Sequence, residues 1–91
     1  MIRSFRNRGL SRFFNDADPS GIAPSLRVRV QGHLQALQAA SELADLNIPG
    51  FDFHPLRGKP KRYSVHVNRP FCITFEWIEG EPWRVDLENY H

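Results

Sequence analysis

The sequence predicts an α+β fold, with helices first and an antiparallel sheet second. Three observations point to it. Apolar residues recur at helical spacing between residues 24 and 40. From Phe51 onward the period becomes two, and turn residues break that second half at short intervals. At 91 residues, the chain suits a single domain spanning 1–91 with one modest core. With 41% apolar and 24% charged residues, it has the composition of a chain that folds. Its lone cysteine, Cys72, leaves no internal disulfide, which fits a reducing compartment.

The elements follow in order. Ile2 to Phe5 reads as a short N-terminal strand, and Gly9 to Asn15 as one or two helical turns with Leu10, Phe13 and Phe14 facing inward. Asp16 to Gly21 is a loop by its Asp, Pro, Ser and Gly content. A helix is expected from about Pro24 to Ala40, because proline suits a first turn. Leu26, Val30, Leu34 and Leu37 make its apolar stripe. Gly32 weakens this helix by up to about 1 kcal/mol relative to alanine, or admits another element at close range. His33 reads as a surface residue, and Ser41 as the cap of a short turn that ends before Pro49-Gly50.

Three alternating runs come next: Tyr63, Val65, Val67; then Phe71, Ile73, Phe75, Trp77; then Trp83, Val85, Leu87. Tight connections at Asn68-Arg69 and Glu79-Gly80 make them an antiparallel meander. One face is apolar and packs under the helices, with Trp77 and Trp83 in the core. The other, carrying Ser64, His66, Cys72, Thr74 and Glu76, looks at solvent or at a ligand.

Twelve cations face ten acids, for a net charge of only +2, yet the charges are segregated. Residues 1–12 hold Arg3, Arg6, Arg8 and Arg12 and no acid. Residues 53–75 hold Arg57, Lys59, Lys61, Arg62 and Arg69 with His54 and His66, again with no acid. A local basic surface attracts a polyanion even when total charge is small. The basic N-terminus is followed by no apolar run of signal-peptide length, and no stretch approaches a membrane span, so a cytoplasmic address without membrane contact is expected. There is no glycine-rich phosphate loop, no dinucleotide fingerprint and no paired-cysteine zinc spacing, so neither a cofactor nor a metal is expected. Cys72 reads as a small filler rather than the nucleophile of a Cys/His pair.

Two segments carry chemistry: His54-Pro55-Leu56-Arg57-Gly58 and Glu88-Asn89-Tyr90-His91. RNA can be cleaved through its own 2′-OH by a base for the hydroxyl, cations for the phosphorane and an acid for the leaving 5′-oxygen, with no metal. Imidazoles suit both proton roles near neutrality. Arg57, Lys59, Lys61, Arg62 and Arg69 can hold phosphate, and Tyr63 and Tyr90 offer rings for stacking a splayed base. His66 is a bystander or a secondary RNA contact. At His91 the α-carboxylate shares a residue with the imidazole and favours its protonated form.

At these residues the chain resembles the HigB-type branch of the RelE/ParE toxin superfamily, the toxin half of type II toxin–antitoxin modules. The matching pieces are Ile2-Arg3-Ser4-Phe5, Gly9-Leu10, Ile48-Pro49-Gly50, His54-Pro55-Leu56-Arg57-Gly58, Tyr63-Ser64-Val65-His66-Val67-Asn68, Ile73-Thr74-Phe75 and Val85-Asp86-Leu87-Glu88-Asn89-Tyr90-His91. The resemblance implies a RelE-like fold, with N-terminal helices packed on one face of an antiparallel sheet. It also implies ribosome-dependent mRNA cleavage in the small-subunit decoding site, which inhibits translation. The implied partner is a cognate helix-turn-helix antitoxin, through which alone operator DNA is reached. Carried over by position, His54 takes part in proton transfer, Arg57 contacts phosphate, and Tyr90 and His91 form the terminal pair of the catalytic site. Two departures stand out: Cys72 replaces an arginine expected at the scissile phosphate, and Asn89 replaces an acid. Two alternatives remain open, a non-catalytic gyrase poison like the ParE branch and a degenerate toxin acting as an antitoxin-bound co-repressor.

Overall fold

The computed structural model describes residues 1–89, and the elements run in the expected order, helices before sheet. Helix α1 (Arg8–Asp16) begins where the Asn7 side-chain oxygen accepts from the Leu10 amide at 3.0 Å, satisfying one orphan donor of the first turn. It ends at Ala17, whose left-handed φ of 56° turns the chain away. The following turn, Pro19–Gly21, touches α1 backbone to backbone. A Cβ on Gly9 would stand 2.8 Å from the Gly21 carbonyl oxygen, and one on Gly21 would stand 2.7 Å from the Gly9 Cα. Glycine is required at both places.

A single turn, Pro24–Leu26, leads into helix α2 (Arg27–Ala39). Its expected stripe of Leu26, Val30, Leu34 and Leu37 is buried. Nothing lies within 4 Å of a Cβ built on Gly32, so that glycine admits no close neighbour. After α2 comes the turn Leu43–Leu46, where the Asp45 carboxylate accepts from the Ser41 and Glu42 amides at 3.0 Å each. Ser41 therefore donates there instead of serving as the cap.

The sheet has four antiparallel strands in sequence order: β1 (His54–Pro55), β2 (Tyr63–Asn68), β3 (Phe71–Ile78) and β4 (Glu81–Asn89). Glu79 and Gly80, at φ 52° and 80°, supply the paired positive φ angles of a two-residue hairpin turn between β3 and β4. On the helix side, Val65, Val67, Ile73, Phe75 and Val85 are fully buried against Leu10, Val30, Leu34 and Leu37. This is the α+β arrangement the sequence predicts. Among the described residues, no helix is long and apolar enough to cross a membrane.

Three expectations need correction. Residues 2–5 make no full strand. They lie along β4 with one parallel bridge, Phe5 to Val85, and Arg84 at φ 49° interrupts the ladder by giving its amide to the Ser4 hydroxyl. The same irregularity moves Trp83. The β3–β4 register shifts between Thr74 and Glu76, so Arg84 is an extra residue and Trp83 sits opposite Glu76 on the polar face, under the Arg3 guanidinium at 5.7 Å. Trp77 keeps to the apolar face, half-buried. His33 is the third, 6% exposed where a surface residue was expected. Its ring stacks on Phe51 at 4.1 Å, and Nε2 donates to the His66 carbonyl oxygen at 2.6 Å.

Candidate active site

Directly paired residues of an antiparallel ladder share a face, so register alone assembles the polar side of this sheet. One row runs His54, Ser64, Thr74, Asp86 across β1 to β4, and the next runs His66, Cys72, Glu88 across β2 to β4. Between the rows lies a hollow of about 130 Å³ lined by Asp52, His54, Leu56, Ser64, His66 and Cys72. His54 opens onto it from the edge strand, its side chain 53% exposed and Nδ1 standing 3.7 Å from the Asp52 carboxylate. Asp52 holds φ 47°, a conformation that aspartate tolerates better than most residues.

On the same face, outside the hollow's lining, Thr74, Arg62 and Glu88 are joined to one another. Arg62 Nη1 lies 2.6 Å from Glu88 Oε2 and 3.4 Å from the Thr74 hydroxyl, which in turn donates to the same carboxylate oxygen. Burial works against the Glu88 charge, but hydrogen bonds from Thr74 and Arg62 and the charges of Arg62 and Arg6 outweigh it, holding the carboxyl below its ordinary range. Arg62, expected to contact RNA, is thus the partner of a carboxylate. The Cys72 thiol is pushed up to about 11, chiefly by burial and then by the Glu88 charge. It stays protonated near neutrality and is no nucleophile.

The remaining cations stand on the connections between strands. Arg57, Lys59 and Lys61 are exposed on the loop joining β1 to β2, where Leu56 N donates to Arg62 O at 2.8 Å and Lys61 Nζ to Leu56 O at 3.3 Å. Arg69 is exposed at the other end, in the β2–β3 turn. Tyr63 is not with them. It pairs with Phe75 on the helix side, its ring 5.9 Å from Phe75 and stacked on Phe53 at 5.8 Å, so it cannot serve a base on the polar face. Its parity with Val65 and Val67 already says so. Tyr90 and His91, expected at the site, lie outside the described residues.

Alternation placed Ser64 and Thr74 on this face, but sequence reasoning assigned no site role to them, to Asp52 or to Glu88. The signal for Ser64 and Thr74 was their alternation with Val65 and Ile73; for Asp52 it was its two-residue spacing from His54. Among the described residues, no three His, Cys, Asp or Glu side chains are grouped to hold a metal ion.

Comparison with known proteins gives two matches. Residues 3–91 match the family model of the HigB-like toxins, described as the RelE-like toxin of type II toxin–antitoxin system HigB. The chain is also 35% identical over 92 residues to an endoribonuclease HigB of Proteus vulgaris, in an alignment covering the whole of both chains.

Proposed function

Because this chain belongs to the HigB-like toxins of type II toxin–antitoxin modules, and so has an antitoxin as partner, we propose that it arrests translation as a metal-independent endoribonuclease cutting mRNA on the ribosome. The observation that carries this reading is the exposed imidazole of His54 opening onto a polar-face hollow, with Arg57 and Lys61 exposed on the β1–β2 loop and Arg69 in the β2–β3 turn. It acts as one cytoplasmic domain over residues 1–91, and its antitoxin is of the helix-turn-helix class, reaching operator DNA on the toxin's behalf.

His54 takes the proton of the 2′-OH, and O2′ bonds to phosphorus as the P–O5′ bond breaks. His91 returns a proton to O5′, and the products are a 2′,3′-cyclic phosphate and a 5′-hydroxyl. Arg57, Lys61 and Arg69 hold the RNA backbone, with Lys59 beside them, and Tyr90 positions the nucleotide. A general base of this kind contributes about 10²–10⁴ in rate.

The test is induction without antitoxin, scoring growth and mRNA cleavage for the parent, His54→Ala and His91→Ala. The parent is expected to arrest growth and cut mRNA, and both variants to lose cleavage by about two orders of magnitude or more. Variants as toxic as the parent would refute the assignment of these residues. Intact mRNA with trapped DNA–gyrase complexes would transfer the protein to the gyrase poisons, and harmless overexpression would leave it a co-repressor.

A further inference from the structure

We propose that His66 is a catalytic residue, its imidazolium holding the negative charge that develops on the scissile phosphate, rather than a peripheral RNA contact. This rests on the ribonuclease reading above.

Position is the first argument. His54 pairs with Ser64, and His66 is two residues further along the same strand and face. The two histidines are therefore diagonal neighbours, about 7–8 Å apart at Cα, within reach of long side chains converging on one ligand. Both line the same hollow. A phosphodiester entering it meets one imidazole from the edge strand and one from the floor.

Charge is the second. A phosphorane carries more negative charge than the diester, so a cation aimed at it lowers the barrier. Of the residues lining the hollow, Asp52 is an acid, Leu56 and Ser64 are neutral, and the Cys72 thiol keeps its proton. Arg62 is committed to Glu88. Arg57, Lys59, Lys61 and Arg69 stand on the loop and turn at the two ends of the strands. Within the hollow, the imidazoles are the lining groups able to be cationic, and His54 must be neutral to accept a proton. The positive charge falls to His66.

Preorganisation is the third. The backbone of His66 is pinned from two sides: its amide donates to Phe51 O at 2.6 Å, and its carbonyl oxygen accepts from His33 Nε2 at 2.6 Å. His33 is itself buried in α2 and stacked on Phe51, so helix, loop and strand are tied together behind one residue of the polar face. A site whose dipoles and charges are fixed in advance needs no reorganisation during the reaction.

In the proposed step, O2′ bonds to phosphorus and P–O5′ breaks, while the His66 imidazolium keeps its proton and donates a hydrogen bond to a non-bridging oxygen. The experiment measures kcat and KM for cleavage of ribosome-bound mRNA by the parent, His66→Ala, His66→Arg and His54→Ala. Loss of one such donor costs about 10²–10³ in kcat. His66→Ala is expected to show that loss with KM changed by less than about threefold, the pattern of an interaction made in the transition state. His66→Arg, which restores a cation, is expected to recover at least about tenfold of the rate. Full activity in His66→Ala, a change confined to KM, or no recovery with arginine would each overturn the proposal while leaving the ribonuclease reading intact. A parent that cleaves nothing would overturn both.

Discussion

Glu88→Gln tests how the polar face is held together. The substitution keeps shape and an oxygen acceptor but removes the charge that ties Arg62 and Thr74 to β4. The side chains of Arg62 and Glu88 are 30% and 33% exposed, so solvent screens the pair and its ionic part is worth no more than about 1 kcal/mol. Downgrading the Thr74 hydrogen bond from a charged to a neutral acceptor costs about another 1 kcal/mol. Relief from burying a carboxylate returns part of this, leaving a net loss of about 1 kcal/mol near neutrality. In a domain of this size that lowers Tm by about 4–8 °C. The sign with pH follows from the depressed carboxyl. The Glu88 contribution is fully present above its ordinary value of 4.5 and is lost as pH falls through the lower folded-state value. Thermal unfolding followed by circular dichroism at pH 7, 5, 4 and 3 should show parent and variant apart at pH 7 and 5 and converging at pH 3. Equal Tm values at pH 7, or a gap that persists undiminished at pH 3, would refute this account.

Two further outcomes follow from the packing. Gly9→Ala forces a methyl to 2.8 Å from the Gly21 carbonyl oxygen, a backbone atom without freedom to retreat. It should destabilise by about 1–3 kcal/mol in chemical denaturation, whereas Gly32→Ala, in open space, should stabilise by up to about 1 kcal/mol. Alkylation of Cys72 by iodoacetamide at pH 8 should be about a hundredfold slower in the folded protein than in denaturant, because the folded thiol ionises only near 11. Equal labelling rates in the two states would show an open thiolate.

Much of this architecture was legible from period and parity. Alternation from Tyr63 to Phe75 places Val65, Ile73 and Phe75 inward and Ser64, His66 and Thr74 outward, as the register shows. The same parity puts Tyr63 with the core, so its assignment to RNA ran against a signal already present. His33 was also readable: it follows Val30 by three residues and precedes Leu37 by four, which places it on the buried stripe of α2. Other features could not be read. Trp83 changes face because one residue, Arg84, bulges out of β4, and no local composition marks a bulge at an arginine. The Arg62–Glu88 pair joins residues 26 positions apart, one just ahead of β2 and the other on β4, so it exists only once β2, β3 and β4 are in register. Charge segregation indicated a basic surface but could not say which cation a nearby acid would claim.

The seam between residues 4–6 and Val85 has a temporal consequence. Val85 N donates to Ser4 O and Arg6 N to Val85 O, about eighty residues apart in sequence. During synthesis the N-terminal segment emerges first and must wait, unpaired, for the final strand to leave the exit tunnel. With β3 and β4 joined by a two-residue turn, the polar face acquires its Asp86 and Glu88 only when β4 follows β3 out of the tunnel. A chain stalled before residue 81 has both helices and strands β1 to β3 but lacks the Asp86 and Glu88 that β4 brings, so the polar face stays incomplete until β4 has joined it.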